Sequence, residues 1–188
     1  AILKYIGEYA LVSYTIISYV NTIVVMSMAG IAQGSQPLIS YYYGKNEPVK
    51  YKKLLKYGIT AALVGSVGAL IVCYAGAGGI VRLFLKESEA SLITYSVKVF
   101  RIFILSFLLA GLNVVLGGYF TSVERAGFAT MISLTRSLVA LVISLVFLTA
   151  VFGGEAIWWA PVIAESCCLV LALGFYRRYR KKENKQGF

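Results

Sequence analysis

Long apolar runs separated by short polar clusters organise the chain. A helix needs about 20 apolar residues to cross a hydrocarbon core of about 30 Å. Five runs meet that length: residues 14–42, 54–74, 97–123, 128–152 and 157–175. Each is continuous, whereas a membrane barrel strand alternates apolar and polar positions over about 10 residues. The pattern therefore predicts five spanning helices, preceded by a linker at 1–13 and followed by a basic tail at 176–188.

Composition agrees with this picture. Of 188 residues, 59% are of the apolar and aromatic types and 14% are charged, and the mean hydropathy is +0.78. A soluble domain is about 25% charged, and disordered chains are poor in apolar residues. Both classes are excluded, leaving an all-α integral membrane protein. Cys73, Cys167 and Cys168 fall inside apolar runs without metal or redox spacing, and read as small packing residues.

Charge then sets an orientation. The net charge is +10, with no His, and every acid is Glu. The basic residues cluster between spans, which argues for topology and against a nucleic-acid partner. One side carries Lys45, Lys50, Lys52, Lys53, Lys56, Arg125, Arg177, Arg178, Arg180, Lys181, Lys182 and Lys185; the other carries Lys4, Arg82 and Lys86. The positive-inside rule makes the first side cytoplasmic, so the chain starts outside and ends inside. An odd number of spans with a start that lacks Met is the pattern of a piece whose partner segments lie N-terminal. Trp158 and Trp159 fit an outer aromatic belt, with stacking on a ligand as the alternative, and the RRYRKK tail fits an anchor in anionic headgroups.

Polar groups inside a span are costly, so they mark candidate sites. The first span reads GIAQGSQPLISYYYG from Gly30. Gln33, Gln36 and Ser40 share one helical face, Gly30 and Gly34 form a small-xxx-small pair for close helix approach, and Pro37 removes a backbone donor and predicts a kink. Tyr14, Asn21 and Thr22 lie higher on the same helix. Tight packing and a cavity-lining hinge are both compatible with this set. Span three carries Asn113, and glycines and alanines of span two (Gly58, Gly65, Gly68) form a helix-contact face. Glu165 in span five and Arg136 in span four fall about 12 Å and about 15 Å from opposite faces on helical rise. An Arg136–Glu165 pair is therefore expected, as a structural bridge or as a coupling carboxylate, with Arg101 competing for the same partner. The chain lacks a phosphate-binding loop, an HExxH zinc motif and any nucleophile with an acid–base partner, so it is not expected to be an enzyme and no cofactor is implied.

GIAQGSQPLISYYYGKNE at 30–47 resembles the glycine–glutamine–proline motif in the eighth helix of the MATE (multidrug and toxic compound extrusion) transporters. AGLNVVLGGYFTSVERAG, SLTRSLV and IWWAPVIAES resemble the tenth, eleventh and twelfth helices in that order. The resemblance implies helices eight to twelve: most of one six-helix lobe of a twelve-helix transporter, lacking its seventh helix and its N-terminal lobe. It further implies efflux of small organic cations in exchange for H⁺ or Na⁺ from a multi-pass position in the cell membrane. On that mapping Gln33, Gln36, Pro37 and Ser40 line or bend a cavity wall, and Asn113 and Glu165 face the lobe interior. Some family members carry an Asp in the tenth helix; here residues 97–123 hold no acid. Arg101 and Arg136 against a lone Glu165 also attract cations poorly, which keeps open an exporter or flippase of lipid-linked or anionic molecules. A non-transporting scaffold is the third alternative.

Overall fold

The computed structural model describes residues 7–85 and 90–185. Helix α1 runs Glu8–Gly44, α2 Pro48–Arg82, α3 Ala90–Phe103, α4 Ser106–Ser122, α5 Ala126–Leu134, α6 Ala140–Phe152 and α7 Ala160–Lys185. A π turn at Thr135–Val139 joins α5 to α6, and a short 3₁₀ segment at Gly154–Trp159 leads into α7. Among the described residues, five continuous stretches are long and apolar enough to cross a membrane: α1, α2, α3 with α4, α5 with α6, and the 3₁₀ segment with α7.

Each stretch is longer than its hydrophobic pattern predicts. Helix α1 already begins at Glu8, so residues 8–13 are not a linker, and α7 continues through the basic tail to Lys185. Packing explains the extensions. Ala10 and Ser13 are buried at one end of α1, Tyr51 and Leu55 at the start of α2, and Tyr179 and Glu183 near the end of α7.

Two of the turns are closed by the same device. After α1, the Asn46 amide donates to Tyr43 O at 2.9 Å and the Glu47 amide to Tyr42 O at 3.0 Å, with Asn46 at φ 58°. After α4, Glu124 donates to Thr121 O at 3.3 Å and Arg125 to Phe120 O at 2.9 Å, with Glu124 at φ 57°. This is the Schellman closure, whose left-handed residue is usually Gly or Asn. Pro48 then occupies the first turn of α2, where its missing N–H costs nothing.

The third stretch is the centre of the bundle: 61% of its apolar window is buried, against 22–33% in the other four. Glycines and small side chains admit its neighbours. A Cβ on Gly111 would collide with Ser66 Oγ, and one on Gly118 would lie 2.9 Å from Gln36 Nε2. Gly58 meets Val115, and Gly65 meets Met28. Gly30, Gly34 and Gly68, by contrast, face open space among the described residues, so the contact expected at Gly30 and Gly34 is not made within this chain. The flanking helices turn Ile23, Met26, Val64, Ile71, Ile143, Phe147 and Val170 outward, an apolar surface that lipid or protein must cover.

Candidate functional site

Glu165 lies on α7 one turn beyond Pro161, with its side chain 13% exposed. Arg136 reaches it from the π turn, Nε donating to Oε1 at 2.8 Å. Asn113 reaches it from α4, with Nδ2 donating to Oε2 at 2.7 Å and to the Glu165 carbonyl at 2.9 Å. Both carboxylate oxygens are thus occupied by donors. Charge-assisted bonds of this kind are roughly twice as strong as neutral ones. Asn113 Oδ1 stays buried without a hydrogen-bond partner among the described residues.

The π turn presents the arginine. Its wide turn adds one residue to the helix, and such bulges recur at functional sites. The Ala140 amide accordingly bonds back to Thr135 O. Neither the π turn nor the 3₁₀ entry to α7 is expected from hydropathy alone.

A cavity of about 510 Å³ opens beside this pair. Its polar points are Arg136, Glu165, Asn21 and Ser106; Tyr14, Phe103, Trp158 and Pro161 supply aromatic and apolar wall. The volume lies within the 300–1,000 Å³ of small-molecule sites. Trp158 is 3% exposed and donates Nε1 to the Tyr95 hydroxyl at 3.0 Å, so it is a wall residue and not part of an aromatic belt. Trp159 is exposed.

Of the residues singled out by sequence, the structure joins Arg136, Glu165 and Asn113, and places Asn21 in the same cavity. It separates the others. Gln36 packs on α4 at Gly118, and Ser40 Oγ donates to Ser122 O at 3.2 Å. In the amide-rich half of α1, Gln36 and Ser40 thus make the α4 contact, while the other half, with Tyr14 and Asn21, borders the cavity. Gln33 and Pro37 are exposed, neither lines this cavity, and α1 is one unbroken helix through Pro37. Asn113 acts behind the cavity wall, through Glu165. Arg101 does not compete for Glu165: it lies 4.8 Å over the Tyr74 ring.

A second polar cluster escaped the sequence reading. Glu183, near the end of α7, is buried; it accepts from the Tyr51 hydroxyl and pairs with Lys52 at 2.7 Å. A stripe of buried residues at four-residue and seven-residue steps (Ala160, Ala164, Cys168, Ala172, Tyr179, Glu183) runs straight into it. That spacing was the available signal. The tail is thus a packed helix end, beyond the anchor that its charges indicate.

Comparisons with known proteins place this geometry. A multidrug export protein MepA of Staphylococcus haemolyticus is 26% identical over 168 residues, covering 89% of this chain and 36% of the relative. One from Staphylococcus aureus strain MRSA252 is 24% identical over 171 residues, covering 91% and 37%. The chain thus spans little more than a third of the length of these curated relatives. Among solved structures, a MATE protein in complex with MaL6 matches at TM-score 0.89 and 16% identity, over 98% of this chain and 42% of that one. A Pyrococcus furiosus transporter of the MOP superfamily, described by the reverse polarity of its binding pocket, matches at TM-score 0.84 and 14% identity, over 94% and 40%. The MatE family profile matches residues 1–146, more than half of the sequence. The chain belongs to the MatE family of multi-pass membrane transporters and is not an enzyme.

Proposed function

We propose that the chain supplies one wall of the translocation cavity of an exporter of amphipathic organic cations, driven by H⁺ antiport, with Glu165 as the coupling carboxylate. The observation that carries this reading is the cavity of about 510 Å³ whose apolar, aromatic walls close on the Arg136–Glu165 pair. With Glu165 ionised, the pair is locally neutral and Tyr14 offers ring surface to a cation. A proton on Glu165 removes the negative charge and leaves the Arg136 guanidinium uncompensated in a medium of low dielectric, where it repels a bound cation. Proton and substrate then exclude one another, as antiport requires, and linkage makes that exclusion reciprocal. H⁺ fits better than Na⁺, because a proton needs one free lone pair of the carboxylate, whereas a metal cation needs several oxygen ligands and would lie beside the Arg136 guanidinium. The basic end of the bundle is assigned to the cytoplasm on the positive-inside rule.

Ethidium efflux from cells expressing the full-length gene, with and without a proton gradient, tests this reading. The Glu165→Gln variant is expected to reach the membrane and to lose gradient-driven efflux. Efflux by that variant with unchanged gradient dependence would overturn the role of Glu165. Arg136 in the cavity wall favours a second reading, export of anionic or lipid-linked molecules. That reading gains if an anionic dye is exported, ethidium is not, and Arg136→Gln abolishes the activity.

A further inference from the structure

A second cavity, of about 420 Å³, lies at the basic end of the bundle, remote from Glu165. Three separate segments enclose it: the α1–α2 turn through Tyr43 and Asn46, the α4–α5 turn through Glu124 and Arg125, and the last turns of α7 through Arg178 and Glu183. Its charge is less balanced than its composition implies. Glu183 is already bound to Tyr51 and Lys52. Among the described residues, Arg125 and Arg178 are in no ion pair with a carboxylate, although Glu124 lies in the same lining. Arg125 instead rests 5.7 Å over the Tyr179 ring, which orients the guanidinium without neutralising it.

The cavity is also amphipathic. Phe128 forms part of its wall and stacks on Phe175 with ring centroids 4.6 Å apart, so aromatic surface lies next to the two arginines. Guanidinium forks match phosphate oxygens in a bidentate way that ammonium groups do not. The position, at the end of apolar spans that carries most of the basic residues, is where headgroups of anionic lipid concentrate.

The geometry points to a site for the phosphate group of an anionic phospholipid, held by Arg125 and Arg178 between the α1–α2 turn, the α4–α5 turn and the end of α7. The apolar part of the lipid follows the Phe128 side. This binding is independent of the transport reading for Glu165.

The test uses the purified, delipidated full-length transporter, following its unfolding temperature during titration with phosphatidylglycerol, phosphatidylcholine or inorganic phosphate. Phosphatidylglycerol is expected to stabilise the protein at concentrations where the other two do not. Arg125→Gln/Arg178→Gln is expected to raise the half-maximal lipid concentration by about tenfold or more, the loss of charged bidentate contacts. Arg177→Gln/Arg180→Gln removes the same charge from outside the cavity and is expected to have a clearly smaller effect. Arg125→Lys/Arg178→Lys keeps the charge and loses the fork; it is expected to bind more weakly than the wild type, and it serves if the glutamine pair does not fold. Equal losses in the two glutamine pairs would reduce the effect to diffuse attraction and overturn the site. Stabilisation by inorganic phosphate equal to that by lipid would overturn the lipid assignment.

Discussion

Glu165 and Glu183 lie on one helix about five turns apart and are held by the same kinds of partner. Each has one cation and one neutral donor: Arg136 and Asn113 for the first, Lys52 and Tyr51 for the second. Their surroundings differ. Glu165 opens onto a cavity with apolar walls, so a change in its charge is felt by whatever occupies that space. Glu183 lines the more polar cavity at the basic end, and its bonds to Tyr51 and Lys52 of α2 fasten the end of α7. The same kinds of donor thus hold a carboxylate at an apolar-walled cavity in one place and at a polar helix end in another, and the character of the space beside each separates the two.

Removing the cation from Glu165 is the strongest way to press that difference. Arg136→Ala leaves a buried carboxylate without its partner, an effect of about 3–5 kcal/mol on stability. Arg136→Gln/Glu165→Gln is expected to recover most of it. Thermal unfolding of the detergent-purified protein measures both, and an unchanged unfolding temperature for Arg136→Ala would overturn the pair's part in stability. Asn113→Ala removes two donors to Glu165, with an expected cost of about 1–3 kcal/mol by the same assay. It should also alter the pH dependence of efflux, which a purely structural amide would leave unchanged.

At the other carboxylate the effect is smaller than that of Arg136→Ala and confined to stability. Tyr51→Phe deletes one hydrogen bond to the Glu183 carboxylate, for about 1.5–3 kcal/mol, and should leave the pH profile of efflux unmoved. A shifted profile would end the contrast between the two sites. The smallest effect is at the neighbouring α4–α5 turn. Glu124→Gly relieves a left-handed residue and should raise the unfolding temperature by an amount corresponding to up to about 1 kcal/mol.

What the sequence displayed, and what it concealed, follows from the same physics. The five spans were legible because burial in hydrocarbon imposes long apolar runs. The Arg136–Glu165 pair was legible because two opposite charges at matched depth on adjoining helices have few other partners. The role of the Gln33–Ser40 stretch was not, because an amide can face a cavity or a glycine on a neighbour with the same spacing. For Gln36, Gly118 on α4 decides it. Arg101 was misread for a related reason: a cation can be held by a ring as well as by a carboxylate, and Tyr74 was nearer. Glu183 was hidden by the basic residues around it, which draw the eye to charge and away from the four-residue and seven-residue steps.

The wide turn at Thr135–Val139 carries a spare residue, and that surplus has a geometric use. Deleting a single residue there would let the segment close into an ordinary helix, but either the arginine or the 13-residue α6 beyond it would then swing by roughly 100° about the axis. The bulge acts as a phase offset: it keeps one guanidinium aimed inward while the greasy length that follows keeps its outward bearing.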